Sequence, residues 1–124
     1  MNKTILIIAS ILGALGVVLG AMGSYLLKDK LGIDGLKNYE TAVRYQMYHV
    51  FALFIVSILS YLTQNDKNLI NLFFLLGILF FSGSLYAITA GGVPAKSIWY
   101  LTPLGGIMFI TGWVVLVWKL IVRL

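Results

Sequence analysis

The chain has 124 residues, of which 60% are hydrophobic and only 10% are charged, and its mean hydropathy is +0.99. So little polar surface excludes a soluble globule of this size, and the absence of cysteine excludes disulfides, cysteine-ligated metals and thiol catalysis. The formal net charge of +5 suits contact with anionic lipid headgroups, and because the basic residues are scattered along the sequence we expect no nucleic-acid partner.

Four apolar segments follow one another along the chain, each of roughly 20 residues or more, close to the length that crosses ~30 Å of hydrocarbon. Backbone groups in lipid must be hydrogen-bonded within their own segment, so we expect helices. The predicted fold is therefore all-α: one domain over residues 1–124, formed by an up-down-up-down bundle of four transmembrane helices. The segments are approximately Thr4 to Leu27, Tyr39 to Leu62, Leu69 to Ala90, and Thr102 to Leu124.

The connections between the segments, LKDKLGIDGLKN, TQNDKN and GGVPAKS, are rich in charge, Gly or Pro. Asn38 is predicted to cap the second helix, with Glu40 in its first turn, and Thr102 followed by Pro103 predicts the start of the fourth. The first apolar run is longer than a signal-peptide h-region and no clear A-x-A site follows it. We therefore expect it to be retained as a membrane helix.

An even number of spans would place both ends of the chain on one side of the membrane. The basic residues do not decide which side is cytoplasmic, since four lie on the side of the chain ends and five on the other.

Small residues recur at spacings of three and four along the first segment, which places them on one face of a helix. Such a stripe allows a second helix to approach closely. We expect this contact to lie inside the bundle, and a seam between copies of the chain in a homo-oligomer is the alternative. The predicted packing residues are Gly13, Gly16, Gly20 and Gly23, with Gly105 in the fourth segment.

Ionisable groups deep in a membrane usually mark transport or catalysis, because burying them is costly. The four acidic residues here are expected in connections or at helix ends. This position argues against the hypothesis of an ion-coupled multidrug antiporter, which needs a carboxylate deep in a helix. One histidine without cysteine suits neither a metal site nor a catalytic triad, so we predict no catalytic residue, metal or cofactor. Haem held between His49 and Met108 is a weaker alternative. The acidic residues are Asp29, Asp34, Glu40 and Asp66.

Four stretches, GAMGSYLLKDKL, ETAVRYQMYHVFAL, FSGSLY and TPLGG, occur in this order over nearly the whole chain. Together they resemble the small membrane family catalogued as domain-of-unknown-function family 423, which includes bacterial inner-membrane proteins and a mitochondrial transmembrane relative. The resemblance implies a four-helix protein of the bacterial plasma (inner) membrane and supplies no established activity. Tyr25 stands where that family usually has a histidine. The positions that match the family pattern are Arg44, Tyr45, Gln46, His49, Gly83, Ser84, Tyr86, Thr102, Pro103, Gly105 and Gly106.

His49 lies ten residues past the expected helix start at Tyr39, which is ~15 Å along the helix axis and below the headgroup layer. We expect Arg44 to pair with Glu40 one turn back, and His49 to bond a hydroxyl or a backbone carbonyl. The two connections on this side bring further polar residues into the same membrane half, whereas the other half holds only Ser57 and Ser60. We therefore predict a polar pocket formed by His49, Arg44, Glu40, Tyr45, Tyr48, Tyr25, Ser84, Tyr86 and Thr102.

Two classes of function fit these patterns. The first is a non-enzymatic accessory, assembly or lipid- or small-ligand-binding protein, whose partners would be membrane lipid, another membrane protein or a second copy of the chain. The second is a small-solute transporter or channel that uses the polar pocket as a vestibule. Because no polar path continues into the other membrane half, the sequence favours the first class.

Overall fold

The computed structural model describes residues 2–124, which form helices joined by short connections. The prediction of an all-α protein is confirmed, and no strand occurs among these residues. The elements are α1 (Lys3–Tyr25), α2 (Gly32–Ile58), α3 (Gln64–Gly77), a π-helical segment (Ile78–Ser82), α4 (Gly83–Thr89), α5 (Ala95–Ile98) and α6 (Leu101–Arg123).

Three helical stretches are long and apolar enough to cross a membrane, namely Lys3–Tyr25, Gln64–Thr89 and Leu101–Arg123. The second of them runs without interruption through α3, the π segment and α4. The sequence predicted a fourth span in α2. That helix has 27 residues, but the charged and polar side chains in its first half lower its mean hydropathy. By length and composition, three candidate spans are therefore established.

The start of α2 differs from the prediction. This helix begins at Gly32, seven residues before Tyr39, so Asn38 lies inside it and does not cap it. Leu31 takes the cap position without a side-chain hydrogen bond, and Asp34 is the acidic residue of the first turn. Gly32 adopts a φ of +71°, a left-handed conformation that glycine reaches without steric cost. The chain therefore reverses at Gly32, and the remainder of the predicted connection continues as helix.

The other helix starts also lie earlier than predicted. The stretch expected as a polar turn instead opens α3, where the Thr63 hydroxyl accepts from the Asp66 N–H (3.1 Å) and the Asp66 carboxylate accepts from the Thr63 N–H (3.2 Å). This reciprocal capping box fixes the first turn of α3. Helix α6 begins at Leu101, so Thr102 lies within its first turn rather than at its cap.

The helices pack antiparallel in chain order, and α2 lies at the centre. Helix α1 packs mainly on α2, while α3 and the π segment pack on both α2 and α6. Asn2 donates to Asn68 (3.1 Å) and Arg123 donates to Asp66 (2.9 Å), so both ends of the described chain meet the α2–α3 turn. The buried core lies between α2, α3 and α6 and includes Val50, Leu53, Val56, Ile70, Phe74, Ile78 and Phe109.

The glycines predicted to form a packing stripe on α1 lie against α2. A Cβ atom at Gly16 would overlap the Met47 sulfur, and one at Gly23 would overlap the Tyr39 ring. The Tyr39 hydroxyl donates to the Leu19 carbonyl (2.5 Å) and ties the two helices together at this level. The stripe, which is complementary to α2 side chains, consists of Gly13, Gly16, Gly20 and Gly23.

Helix α6 approaches the π segment most closely at Gly105. A Cβ atom at this position would overlap the backbone of Phe81. Gly77 and Gly112 make similar room between α3 and α6, for the rings of Phe109 and Phe74. Because the π segment and α6 touch backbone to backbone, the side chains on either side of Gly105 are held in fixed register.

Candidate functional site

A layer of uncharged polar side chains crosses the interior of the protein, from the first turn of α6 at Thr102 to the middle of that helix at Trp113. We call it the neutral layer. Each member bonds a partner on its own helix or on a neighbouring one. Its members are Gln46 and His49 of α2, Ser82 of the π segment, Ser84 and Tyr86 of α4, and Thr102 and Trp113 of α6.

His49 is buried, with 4% of its surface exposed, and both ring nitrogens have partners. The Trp113 indole N–H donates to His49 Nε2 (3.1 Å), and His49 Nδ1 lies 2.8 Å from the Tyr45 carbonyl oxygen. Since an indole nitrogen can only donate, Nε2 must accept. The ring proton is therefore on Nδ1, where it donates to the Tyr45 carbonyl, and the imidazole is neutral.

Aromatic rings pack against the imidazole. The Phe109 ring stacks on it with centroids 3.7 Å apart and planes 12° apart, and the Phe74 ring meets it edge-on at 5.3 Å. With both nitrogens bonded and one face covered, His49 has no free site for a haem iron or another metal. Among residues 2–124, moreover, no group of three or more His, Cys, Asp or Glu side chains could hold a metal ion.

Gln46 links three helices. Its amide nitrogen donates to the Leu12 carbonyl of α1 (2.7 Å), and its amide oxygen accepts from the Tyr86 hydroxyl of α4 (2.7 Å). Nearby, the Ser82 hydroxyl donates to the Ala42 carbonyl (2.7 Å). Each side-chain donor is thus satisfied inside the protein, as buried polar groups require.

Ser84 and Thr102 join α4 to the first turn of α6. Their hydroxyl oxygens are 2.5 Å apart, and the Ser84 hydroxyl also lies 2.9 Å from the Phe81 carbonyl, to which it donates. The Thr102 hydroxyl therefore donates to Ser84. This pair lies one turn from the close contact of Gly105 with Phe81, which fixes the separation of the two helices.

The predicted pocket residues do not surround one cavity. Of the predicted residues, His49, Ser84, Tyr86 and Thr102 lie in the interior, together with Gln46, which was not predicted as part of the pocket. The remaining predicted residues are exposed, and Tyr45, Tyr48 and Tyr25 have 38%, 56% and 84% of their surface accessible. The structure therefore separates the predicted set into an internal layer and a group of surface side chains, which comprises Tyr25, Glu40, Arg44, Tyr45 and Tyr48.

The predicted pairing of Arg44 with Glu40 does not occur in the structure. The Arg44 guanidinium instead donates to the Thr41 hydroxyl (3.2 Å), and both ion pairs found within residues 2–124 are made by Asp66. Arg44 and Glu40 nevertheless line the same surface cavity of about 260 Å³, which we call the α1–α2 groove. It is lined by Gly20, Ser24, Tyr39, Glu40, Val43 and Arg44.

A second surface cavity, of about 220 Å³, lies where α1 faces the second candidate span, Gln64–Thr89, beside the neutral layer. Gln46, Ser82 and Tyr86 line it, but their polar atoms are bonded to one another or to the backbone. Most of its surface is therefore apolar, and it is lined otherwise by Leu12, Leu15, Leu19, Ile78, Leu79 and Gly83.

The opposite end of the protein holds a polar group that the sequence analysis missed, which we call the charged cluster: Asp66, Lys119 and Arg123. Arg123 Nε lies 2.9 Å from Asp66 Oδ2, and Lys119 Nζ lies 3.5 Å from Asp66 Oδ1. The sequence held two signals for it. The spacing of Thr63 and Asp66 fits a capping box, and the up-down topology brings the end of α6 to the α2–α3 turn.

Asn71 is a buried polar residue of α3 that lies between the charged cluster and the core. Its amide nitrogen donates to the Ser57 hydroxyl (3.2 Å), which donates in turn to the Leu53 carbonyl (2.7 Å). The Asn71 amide oxygen is buried without a hydrogen-bond partner among the described residues. The expectation that this membrane half holds only Ser57 and Ser60 was therefore wrong, because Asn71 lies on the inner face of α3.

Comparison with known proteins gives relatives along almost the whole chain. The family model described as "Protein of unknown function (DUF423)" matches residues 19–106. A UPF0382 membrane protein of Staphylococcus saprophyticus is 36% identical over 115 residues, 93% of this chain and 94% of the relative. The UPF0382 membrane protein YwdK of Bacillus subtilis is 34% identical over 117 residues (93% and 94%), and one of Haemophilus influenzae is 32% identical over 114 residues (92% and 90%). No solved structure matches the chain.

Proposed function

The chain belongs to the DUF423 family of bacterial membrane proteins, and we propose that it is a non-enzymatic accessory protein that binds lipid or another membrane protein within the bilayer. One observation carries this proposal. The polar side chains of the neutral layer are bonded to one another or to the backbone, so their chemistry serves to hold the helices together rather than to handle a solute.

The proposal includes four membrane-spanning helices, with α2 as the fourth. A helix of 27 residues is ~40 Å long, which exceeds the hydrocarbon thickness. The polar residues in its middle, Gln46 and His49, are buried against neighbouring helices and so are shielded from lipid. The exposed side chains that follow Tyr48 in this helix are all apolar, namely Phe51, Ile55 and Ile58.

The alternative of a transporter or channel needs a water-accessible path between the helices. Support against such a path comes from the packing around His49, whose ring fills the interior together with the rings of Phe74 and Phe109. An enzyme would need a free nucleophile or base. Both nitrogens of His49 are engaged, and the buried serine hydroxyls donate to backbone carbonyls.

Helix α1 is the surface on which we expect the partner. It packs mainly on α2, and the rest of its circumference faces outwards. The exposed fractions of Ile11, Val17 and Val18 are 55%, 66% and 54%. A lipid chain, a helix of a partner protein or the same helix of another copy can cover this apolar surface.

Photo-crosslinking in native membranes tests this proposal. A photoreactive residue in place of Val18 on α1 is compared with one in place of Ile110 on α6, which is exposed to a similar degree, 64% against 54%. We expect a discrete lipid or protein adduct enriched at Val18. Equal, nonspecific labelling at the two positions would contradict the proposal. So would solute flux into proteoliposomes that stops in the variant His49→Phe.

A further inference from the structure

Two exposed side chains of opposite charge line the α1–α2 groove without pairing with each other. Glu40 and Arg44 are one turn apart on α2, both are exposed, and both line this groove. The guanidinium is held back towards Thr41 by a single hydrogen bond. A carboxylate and a guanidinium at a membrane surface are each stabilised by an opposite charge or by water. Because Glu40 and Arg44 do not pair with each other, each can bind an opposite charge from another molecule.

The depth of the groove can be read from α1. A Cβ atom at Gly20 would lie 3.4 Å from Val43 Cγ1, so Val43 is level with Gly20, and the next residue, Arg44, lines the same groove. Gly20 precedes the last residue of α1, Tyr25, by five residues, or ~8 Å of helix. The headgroup layer on each side of a bilayer is ~5–8 Å thick. With the end of α1 placed at the membrane surface, Arg44, whose guanidinium bonds Thr41 nearer the start of α2, would present its charge at the level of the lipid phosphates.

The groove is also shaped for a headgroup. Tyr39 closes its inner side, since this residue is buried and its hydroxyl is bonded to the Leu19 carbonyl. Gly20 and Ser24 form the α1 wall, where a larger residue at Gly20 would reduce the space. One turn further into the membrane, Val17 continues the same face of α1 with an exposed apolar side chain.

We propose that the α1–α2 groove binds the headgroup of a phospholipid that carries both a phosphate and a primary amine, as phosphatidylethanolamine does. Arg44 binds the phosphate through charge-assisted hydrogen bonds, helped by the Ser24 hydroxyl, and Glu40 accepts hydrogen bonds from the ammonium group. The two lipid charges are joined by a two-carbon linker, a separation comparable to the ~5–6 Å between Cβ atoms one helical turn apart. The acyl chains then lie along α1 from Val17 inwards.

Charge complementarity selects this lipid over its competitors. A lipid with only an anionic headgroup, such as phosphatidylglycerol, would satisfy Arg44 but would be repelled by Glu40. Phosphatidylcholine has both charges, but its quaternary ammonium has no N–H to donate to the carboxylate. This inference rests on the proposed function, because it names the lipid that the accessory protein holds.

The test is a competition between lipids with identical acyl chains. The purified chain in detergent is mixed with equal amounts of phosphatidylethanolamine, phosphatidylglycerol and phosphatidylcholine, and the retained lipid is counted by native mass spectrometry. We expect several-fold more phosphatidylethanolamine than either competitor. Glu40→Gln should abolish the preference over phosphatidylcholine, and Arg44→Gln should lower retention of all three lipids. Asp34→Asn and Lys96→Gln, which alter exposed charges outside the groove, should leave the order unchanged.

Equal retention of the three lipids by the unaltered chain would overturn the inference, whatever the variants do. A preference for phosphatidylglycerol would also overturn it, since Arg44 would then act without Glu40. So would an unchanged order of retention in Glu40→Gln. If the lipid test fails while an adduct forms at Val18, only the headgroup assignment is lost. If no adduct is enriched at Val18, the proposed function fails whichever lipid is retained.

Discussion

The neutral layer and the charged cluster lie at different levels of the same helices and use different chemistry. In the neutral layer each donor meets one acceptor, and no member carries a net charge, since His49 is held as a neutral imidazole. The charged cluster places one carboxylate against two cations, and Arg123 has 38% of its side chain exposed. The difference follows from the solvent, because charges are costly in hydrocarbon and are tolerated where headgroups and water can reach them.

The two regions should therefore respond differently to the same perturbation. Hydrogen bonds between neutral groups do not depend on ionic strength, whereas a partly exposed ion pair is screened by salt. Steric changes should affect the neutral layer most, since its bonds depend on the close approach of two helices.

The largest effect is expected from a bulky side chain at Gly105, where α6 touches the backbone of the π segment. Gly105→Leu would drive a side chain into the Phe81 backbone, and should lower stability in detergent by ~3 kcal/mol because backbone cannot move aside as a side chain can. Gly106→Leu is the matched control, since the nearest atom to its Cβ position is Phe81 Cδ2 at 3.9 Å. It should cost less than ~1 kcal/mol. Equal melting temperatures for the two variants would show that α6 does not approach the π segment as described.

The next largest effect concerns the charged cluster. Asp66→Asn keeps the size of the side chain but leaves Arg123 and Lys119 without their counter-charge, and should lower the melting temperature by several degrees. The loss should shrink as salt rises from about 0.01 to about 1 M, over which the Debye length falls from ~30 to ~3 Å. Asp34→Asn, an exposed acid in the first turn of α2, is the control. A loss that does not change with salt would mean that Asp66 acts only as a helix cap.

A smaller, salt-independent effect is expected in the neutral layer. His49→Phe retains the ring stacking but leaves the Trp113 N–H without its acceptor, which should cost ~1–2 kcal/mol. Adding Trp113→Phe removes that unpaired donor, so the double variant should lose less than the sum of the two single variants. Strictly additive losses, measured by unfolding in detergent, would indicate that the two rings do not share a hydrogen bond.

Much of the fold could be predicted from the positions of the apolar residues along the sequence. Runs of apolar residues located α1, the stretch Gln64–Thr89 and α6, because lipid as a solvent demands uninterrupted helix. The start of α2 could not be found in the same way. Asn38 followed by Glu40 fits a helix start, and the local pattern does not reveal that the chain already turns at Gly32.

The site was harder to predict than the fold. The residues of the neutral layer could be picked out as polar positions within apolar runs, but their partners depend on the rotation of each helix about its axis. Trp113 lies 64 residues from His49, and nothing in the spacing indicates that its indole faces the imidazole. Rotation also separates neighbours, since Gln46 turns inwards while Arg44 turns outwards.

The central claim is that the neutral layer is closed to water and serves to hold the helices together. Because the chain has no cysteine, single substitutions can report access to a water-soluble maleimide in membrane vesicles. Ser84→Cys probes the layer, where the serine is 3% exposed, and Ser24→Cys probes the α1–α2 groove, where the serine is exposed. We predict rapid labelling at position 24 and none at position 84 when reagent is present on both sides. Labelling at position 84 as fast as at position 24 would contradict the account and would favour an open vestibule.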